Sequence, residues 1–289
     1  MTLQNVLPWI IRARKEGWAV GAFNANTMEQ AQAIALAAQA EKAPAIIQIS
    51  HRALTYIGSG NDIRGLQYIA AIGKAAAESV TTPVSLHLDH GSERDVLQAL
   101  ALGFTSVMFD GDGFSFDENI AITRRLCEAA HSVEACMEAE VGEVPKPDGK
   151  ELDAADIELT DPDEAAQFVE LTGVDILAIA LGSVHGMKSK EVRLDLKRLE
   201  AIRTKVSNPL VLHGSSGVSD EDIKQGVSLG LSKVNVATQL AAAFTSGIRA
   251  VLSKDSEVVD PRKYMTVGRD NQVAAVRERI RFLGASGKA

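Results

Sequence analysis

The chain has 289 residues, of which 46% are hydrophobic and 24% are charged, and its formal net charge is −8. These values are typical of a globular protein and exclude collagen, coiled coil and extensive disorder. The acidic balance and the absence of a Lys/Arg block argue against nucleic acid as a partner. The sequence has no run of about 18 apolar residues, so we expect no membrane contact. It also has only two cysteines, which favours a cytoplasmic location.

Short apolar runs alternate with longer amphipathic segments along the whole chain. Eight runs are predicted as strands: Ala19–Asn24, Ala45–Ser50, Val84–Asp89, Ser106–Asp110, Val133–Glu140, Ile176–Ser183, Leu210–Gly214 and Lys233–Ala237. Nine segments are predicted as helices: Met28–Glu41, Ile63–Ser79, Glu93–Leu102, Phe116–Ala130, Asp163–Leu171, Leu194–Val206, Asp220–Leu229, Gln239–Leu252 and Val267–Leu283. Thr160-Asp161-Pro162 and Ser219-Asp220 are helix-start signals.

This alternation predicts parallel βαβ units. Eight units in this length match a single (β/α)8 TIM barrel domain spanning residues 1–289, with extra C-terminal helices. The alternative is a doubly wound open sheet, but no Gly-x-Gly-x-x-Gly turn follows the first strand. The segment Gly142–Thr160 is polar, contains two prolines, and is the candidate for a mobile active-site loop.

Active sites of such barrels lie at the carboxyl ends of the strands, and here those ends are rich in polar residues. His90, His185 and His213 follow three different strands. Their convergence predicts a catalytic zinc site, since three protein ligands and one open position are typical of such sites. A hydrogen-bonded structural role is the alternative for any single one of them. His87 is expected in the core or behind the site, and His51 and His131 on the surface.

Two further features accompany the histidines. Gly and Ser residues after the sixth and seventh strands, and the end of the eighth, predict a phosphate site; an ordinary strand-to-helix turn is the alternative. Asp89 precedes His90 and could move a proton to or from a substrate oxygen, or could instead cap a helix. No lysine is placed at a strand end inside the barrel, which argues against Schiff-base chemistry. Cys127 and Cys136 are expected to be small core residues.

Several motifs together resemble the class II, zinc-dependent ketose-bisphosphate aldolases, above all the tagatose- and fructose-bisphosphate branch. These motifs are Leu86–Gly91, Glu138–Glu140, Gly182–Gly186, Leu212–Gly217, Lys233–Thr238 and Asp260–Tyr264. The resemblance covers nearly the whole chain. It implies reversible cleavage of a ketohexose 1,6-bisphosphate to dihydroxyacetone phosphate and glyceraldehyde 3-phosphate. It also implies a homodimer or homotetramer.

The resemblance also assigns roles to individual residues. His90, His185 and His213 would be the zinc ligands, and Asp110 and Glu140 would serve a second or displaced metal. Asp89 would handle the proton of the C4 hydroxyl. The dihydroxyacetone phosphate site, with a monovalent cation nearby, would comprise Gly186, Gly214, Ser215, Ser216, Asn235, Val236, Ala237 and Thr238. Arg262 would meet the other phosphate, from its own or a neighbouring subunit, and Asn24 and Ser50 are weaker candidates for substrate contact.

The sequence departs from the family pattern in two places. The loop after Glu140 lacks the usual Gly-Gly pair, so the general base is assigned to Asp148 by counting, with Glu143 and Glu151 as alternatives. Asp112-Gly113 stands where relatives have Ser-His, and the added carboxylate would repel a phosphate. Two other hypotheses therefore stay open: the same chemistry on another phosphorylated ketose or sugar acid, and a non-catalytic barrel subunit.

Overall fold

The computed structural model describes residues 3–145, 158–186 and 192–289. Eight parallel strands form a closed barrel in chain order, and β8 pairs with β1. The strands are β1 Val20–Asn24, β2 Ala45–Ser50, β3 Val84–Gly91, β4 Ser106–Phe109, β5 Cys136–Val141, β6 Ile176–Ile179, β7 Leu210–Leu212 and β8 Leu231–Val236. The predicted barrel is confirmed, and the alternative of an open sheet is wrong.

Helices surround the barrel and cover the outer faces of the strands. They are α1 Leu7–Glu16, α2 Met28–Glu41, α3 His51–Ile57, α4 Asp62–Glu78, α5 Glu93–Ala101, α6 Phe116–Ser132, α7 Pro162–Thr172, α8 Leu196–Lys205, α9 Asp220–Ser228, α10 Thr238–Lys254 and α11 Pro261–Phe282. Within the described ranges, none of them is long and apolar enough to cross a membrane.

The helix-start signals in the sequence are confirmed. The Asp161 side chain accepts hydrogen bonds from the first turn of α7, with Pro162 at its first position, and Ser219 caps α9 in the same way. These caps satisfy backbone N–H groups that have no partner inside the helix.

Several predicted boundaries are wrong. The fifth strand begins at Cys136 rather than Val133, because Val133 still ends α6 and Glu134 takes a left-handed turn with φ 59°. The sixth ends at Ile179 rather than Ser183, since the chain has already left the sheet before Gly182, at φ 94°. Helices α1 and α3 were not predicted; α3 has seven residues, too few to show a helical period.

The barrel interior contains a polar layer below its mouth. Gln48, His87, Ser106 and Cys136 are register partners on four successive strands, and all four are buried. Side chains two residues further along a strand face the same way, which directs Ser50, Asp89 and Glu138 towards the carboxyl end. The strand register therefore brings the polar residues together at one end of the barrel.

Candidate active site and metal centre

A bulge at the end of β3 places two consecutive residues in the barrel mouth. The pairing of β3 with β4 shifts register between Leu88 and Gly91, and His90 has a left-handed φ of 53°. Consecutive strand residues normally face opposite sides, but a bulge changes the direction of one side chain. As a result Asp89 and His90 both line the same cavity.

The three predicted histidines converge at the mouth. The ring centroid of His90 lies 5.0 Å from that of His213 and 5.2 Å from that of His185. One ring nitrogen from each histidine lies within 4.8 Å of the other two. This arrangement leaves a space between the nitrogens that is suited to a metal ion.

Of the ring nitrogens that face this space, those of His90 and His185 have no hydrogen-bond partner within the described part of the chain, and that of His213 faces the Glu140 carboxylate. These nitrogens are Nε2 of His90, Nε2 of His185 and Nδ1 of His213, and all three atoms are buried. A buried polar atom without a partner is costly, so such atoms indicate a missing ligand. Three imidazole nitrogens are the donor set of a borderline divalent metal, and the residues present therefore fit one.

The opposite nitrogens of two rings are held by carboxylates. His90 Nδ1 lies 3.0 Å from Oδ2 of Asp110, and His213 Nε2 lies 2.9 Å from Oε1 of Glu138. Carboxylates in this position fix the orientation of metal-binding imidazoles. Oε2 of Glu140 lies 2.8 Å from Nδ1 of His213, on the side of the metal space.

A fully buried lysine connects this cluster to Asp89. The Nζ atom of Lys233 lies 2.8 Å from Oε2 of Glu138 and donates a hydrogen bond of 2.8 Å to Oδ1 of Asn235. Asn235 Nδ2 in turn donates to Oδ1 of Asp89, at 3.2 Å. Lys233 and Glu138 are both 0% exposed. Lys233 lies within β8 rather than at its carboxyl end, where no lysine was predicted, and its ammonium group is already bonded to two neighbours.

Burial and charge move the pKa values of the cluster in opposite directions. Burial would lower the pKa of His213, but the carboxylates of Glu138 and Glu140 outweigh it and raise the pKa to about 10. Burial and the charges of the other two rings lower the pKa of His185 to about 4. His185 is therefore a neutral imidazole at pH 7, the form that binds metals.

Asp89 is held in its ionised form. Burial alone would raise its pKa, but the neighbouring positive charges of His90, His213 and Lys233 outweigh it and lower the pKa. An ionised carboxylate at the mouth can accept a proton at neutral pH.

Two cavities meet at His90. The larger has a volume of about 620 Å³ and is lined by Asn24, Gln48, Ser50, His51, Arg52, Asp89, His90, Asp110, His185, Gly186, Gly214, Ser215, Ser216, Asn235, Ala237 and Thr238. The smaller, of about 200 Å³, is lined by many carboxylates, including Asp110, Asp112, Glu140, Glu143, Glu158 and Glu164. We call these the substrate cavity and the acidic cavity.

Comparisons with known proteins agree with this geometry. The model of the family "Fructose-bisphosphate aldolase class-II" matches residues 4–288. The chain is 41% identical to a fructose-bisphosphate aldolase of Geobacillus stearothermophilus, over 100% of this chain and 99% of the relative. It is 39% identical to that of Staphylococcus aureus (strain N315), over the full length of both. The chain belongs to the class-II fructose-bisphosphate aldolase family.

Solved structures of similar proteins share the fold of this class-II aldolase. The YdjI aldolase from Escherichia coli K12 has a TM-score of 0.83 and 30% identity, with 99% of each chain covered. The fructose-bisphosphate aldolase of Campylobacter jejuni has a TM-score of 0.84 at 22% identity, over 100% of this chain and 98% of the other. Family membership makes the chain a lyase.

Most of the residues predicted from the sequence lie at the aldolase site. The substrate cavity is lined by all of the predicted substrate-contact residues except Val236 and Arg262. The Val236 side chain lies beside Arg279 and Phe282, behind the Ser215-Ser216 turn. Arg262 is 87% exposed and pairs with Asp260. The base candidates Asp148 and Glu151, and most of the segment 142–160, lie outside the described residues.

Other side chains at the site were missed or misjudged. His87 is confirmed as a core residue and is bonded to Ser106, at 2.8 Å. His51 is exposed, as expected, and it also lines the substrate cavity beside Arg52; the sequence predicted no role for either residue. The place of Glu138 at the site could have been predicted from its spacing, because it lies two residues before Glu140 on the same strand and so shares its inward face.

We predict that Glu138→Gln destabilises the aldolase, because Lys233 would keep a buried charge without its counter-ion. The expected loss is about 3 kcal/mol of unfolding free energy. The affinity for a divalent metal should fall about 10- to 100-fold, since His213 loses the carboxylate that orients it. Denaturant unfolding in a chelator and competition with a chromophoric chelator measure the two effects separately.

The double variant Glu138→Gln/Lys233→Met is the matched control. It removes both charges, so it should recover most of the stability while the affinity for a divalent metal stays low. If Glu138→Gln is as stable as the wild type, the Lys233–Glu138 pair does not contribute to stability as proposed.

Proposed function

We propose that this aldolase uses zinc to cleave a ketohexose 1,6-bisphosphate, of the fructose or tagatose type, reversibly to dihydroxyacetone phosphate and glyceraldehyde 3-phosphate. The observation that carries the proposal is the convergence of three buried imidazole nitrogens within 4.8 Å of one another, beside an ionised aspartate. The names of the curated relatives support fructose bisphosphate as the substrate. Lys233 is fully buried and paired with Glu138, which argues against an amine nucleophile.

His90, His185 and His213 would hold the metal, since one ring nitrogen of each faces one space. When bound, zinc supplies a Lewis acid beside the substrate carbonyl. The role of Asp110 and Glu140 as ligands of a second or displaced metal stays a prediction. In this structure Asp110 contacts His90, and Glu140 contacts His213.

Asp89 would carry out the proton transfer that breaks the carbon–carbon bond. In the cleavage direction its carboxylate accepts the proton of the C4 hydroxyl, C4 becomes the aldehyde carbon, and the C3–C4 electron pair passes towards the C2 carbonyl. Asn235 donates to Asp89 Oδ1 and would keep this carboxylate aimed into the cavity. A second acid then delivers a proton to C3; Asp148 is the candidate, with Glu143 and Glu151 as alternatives.

The turn after β7 and the start of α10 would bind the phosphate of the dihydroxyacetone half. Gly214 has a φ of 63°, and a Cβ there would lie 2.9 Å from the backbone of Val184, so this approach requires glycine. The N-terminus of α10 has no side-chain cap, and its N–H groups at Thr238 adjoin the cavity. Backbone N–H groups at a helix start favour an anion.

The second candidate function is the same cleavage of another phosphorylated ketose or sugar acid, whose aldehyde product is not glyceraldehyde 3-phosphate. The acidic cavity adjoins His90 and includes Asp112, so a phosphate entering it would be repelled. Asp112 does not line the described part of the substrate cavity, which limits its effect on a substrate bound there. The intact histidines and Asp89 argue against a non-catalytic subunit. We further propose that the protein is cytoplasmic, in keeping with two free buried cysteines, and that it forms a homodimer or homotetramer, as the family resemblance implies.

The test of the proposed function is cleavage of fructose 1,6-bisphosphate and tagatose 1,6-bisphosphate in parallel, coupled to detection of dihydroxyacetone phosphate. We expect turnover that a chelator abolishes and zinc restores, and the ratio of the two kcat/KM values identifies the preferred sugar. If protein that holds stoichiometric zinc cleaves neither sugar, the second candidate, a substrate with another aldehyde half, would be favoured.

We predict that Asp89→Asn retains zinc but lowers kcat by about 10²- to 10⁴-fold, because the amide cannot accept the hydroxyl proton. Metal analysis of the same preparation separates loss of chemistry from loss of metal. Asp117→Asn, an exposed change on α6, is the control. Wild-type kcat in Asp89→Asn would refute the proton role.

A further inference from the structure

The substrate cavity extends between opposite sides of the barrel mouth. In a closed barrel of eight strands, β2 and β6 are four positions apart and therefore lie opposite each other. Gly186 follows β6 and belongs to the side proposed for the dihydroxyacetone phosphate. Ser50, His51 and Arg52 follow β2 and form the far side of the same cavity.

The far side needs a positive charge if the substrate carries a second acidic group. Asp89 at the end of β3 and Asp110 after β4 line the same cavity, and their negative charges oppose another anion. Among the described residues that line the cavity, Arg52 is the one with a guanidinium or ammonium group. A guanidinium offers two parallel hydrogen bonds to a phosphate or a carboxylate.

Arg52 is carried by a firmly packed element. A Cβ at Gly65 would lie 2.2 Å from the Leu54 carbonyl oxygen, so α3 and α4 meet at their backbones. Thr55 on α3 also donates a hydrogen bond of 2.6 Å to Asp62 at the start of α4. Recognition is more selective when the contacting side chain stands on a fixed element.

The residue next to Arg52 is held as well. His51 Nδ1 lies 3.2 Å from Oδ2 of Asp95. The Asp95 side chain is itself buried and accepts hydrogen bonds from Ser92 in the capping box of α5. Helix α3 is therefore joined to two neighbouring helices, α4 and α5. Arg52 lies at the outer rim, where it also lines a groove with Tyr56 and Phe244.

Arg262, the arginine indicated by the sequence, is placed differently. Its guanidinium donates to both carboxylate oxygens of Asp260, with Nη2 at 2.9 Å from Oδ2, and it is absent from the described lining of this chain's cavity. Arg52, by contrast, lines that cavity.

We infer that Arg52 recognises the acidic group at the far end of the substrate, and so selects substrates with an anion at that end over substrates without one. This inference rests on the proposed function, because that function fixes which end faces β6. A phosphate and a carboxylate can each present two oxygens to the two parallel N–H donors of the guanidinium, so the chemistry recognised is a terminal oxyanion.

The experiment compares Arg52→Ala with wild-type full-length enzyme on fructose 1,6-bisphosphate and on fructose 1-phosphate, which lacks the far phosphate. We expect KM for the bisphosphate to rise about 10- to 100-fold, as for loss of a charged hydrogen-bond pair. The kcat/KM for fructose 1-phosphate should stay within about twofold. Arg52→Lys should recover part of the loss, because a lysine retains the charge but not the planar pair of donors.

Two variants serve as controls. Arg64→Ala removes an exposed arginine of α4 that is outside the described cavity lining, and it should leave both substrates unaffected. Arg262→Ala tests the arginine indicated by the sequence. Equal losses on both substrates in Arg52→Ala, or no loss beyond that of Arg64→Ala, would overturn the inference. Loss of selectivity in Arg262→Ala alone would overturn it as well.

A binding measurement tests the role of Arg52 independently of whether the proposed cleavage occurs. Calorimetry of fructose 1,6-bisphosphate with chelator-treated protein measures binding without turnover, and Arg52→Ala should weaken it by a similar factor. If wild-type enzyme cleaves neither sugar, the proposed function fails, while this binding difference still decides the role of Arg52.

A ketose 1-phosphate with a terminal carboxylate completes the substrate panel. A wild-type preference for it that disappears in Arg52→Ala would support the inference and identify the oxyanion as a carboxylate.

Discussion

Charge balance inside the barrel is the constraint on which the site depends. Glu138 and Lys233 are both fully buried, and a lone charge at either position would be very unfavourable. Each compensates the other, and the two groups extend in opposite directions to His213 and to Asn235. Since Asn235 also holds Asp89, one ion pair supports both a metal-facing imidazole and the aspartate proposed to move the proton.

The barrel provides this arrangement through register and one local irregularity. Strand register brings Ser50 beside Asp89, and the period of two places Glu138 and Glu140 on one inward face. The bulge in β3 then directs His90 into the mouth that Asp89 already faces. Because both residues lie at the end of one strand, the distance between the metal space and the proton acceptor is set by the backbone.

The strands and the histidines could be predicted from the sequence because their signals are local. Each strand is a short apolar run, and each site residue follows such a run directly, so the rule for barrel active sites was enough to group them. The pairing of Lys233 with Glu138 was not predictable in this way, since the two residues are far apart in the sequence and meet only when the barrel closes. Arg52 was missed because α3 follows β2 immediately, without a turn residue to mark a loop. Arg262 carried a motif signal, yet its guanidinium is paired with Asp260.

The most direct test of this account is X-ray absorption spectroscopy at the zinc edge on the zinc-loaded, full-length protein. We predict three histidine nitrogens at about 2.0–2.1 Å and one oxygen ligand, with the imidazole scattering pattern reduced by one ring in His213→Ala. A sulfur shell at about 2.3 Å, or a shell of six oxygens without imidazole scattering, would contradict the assignment of His90, His185 and His213 as the metal centre.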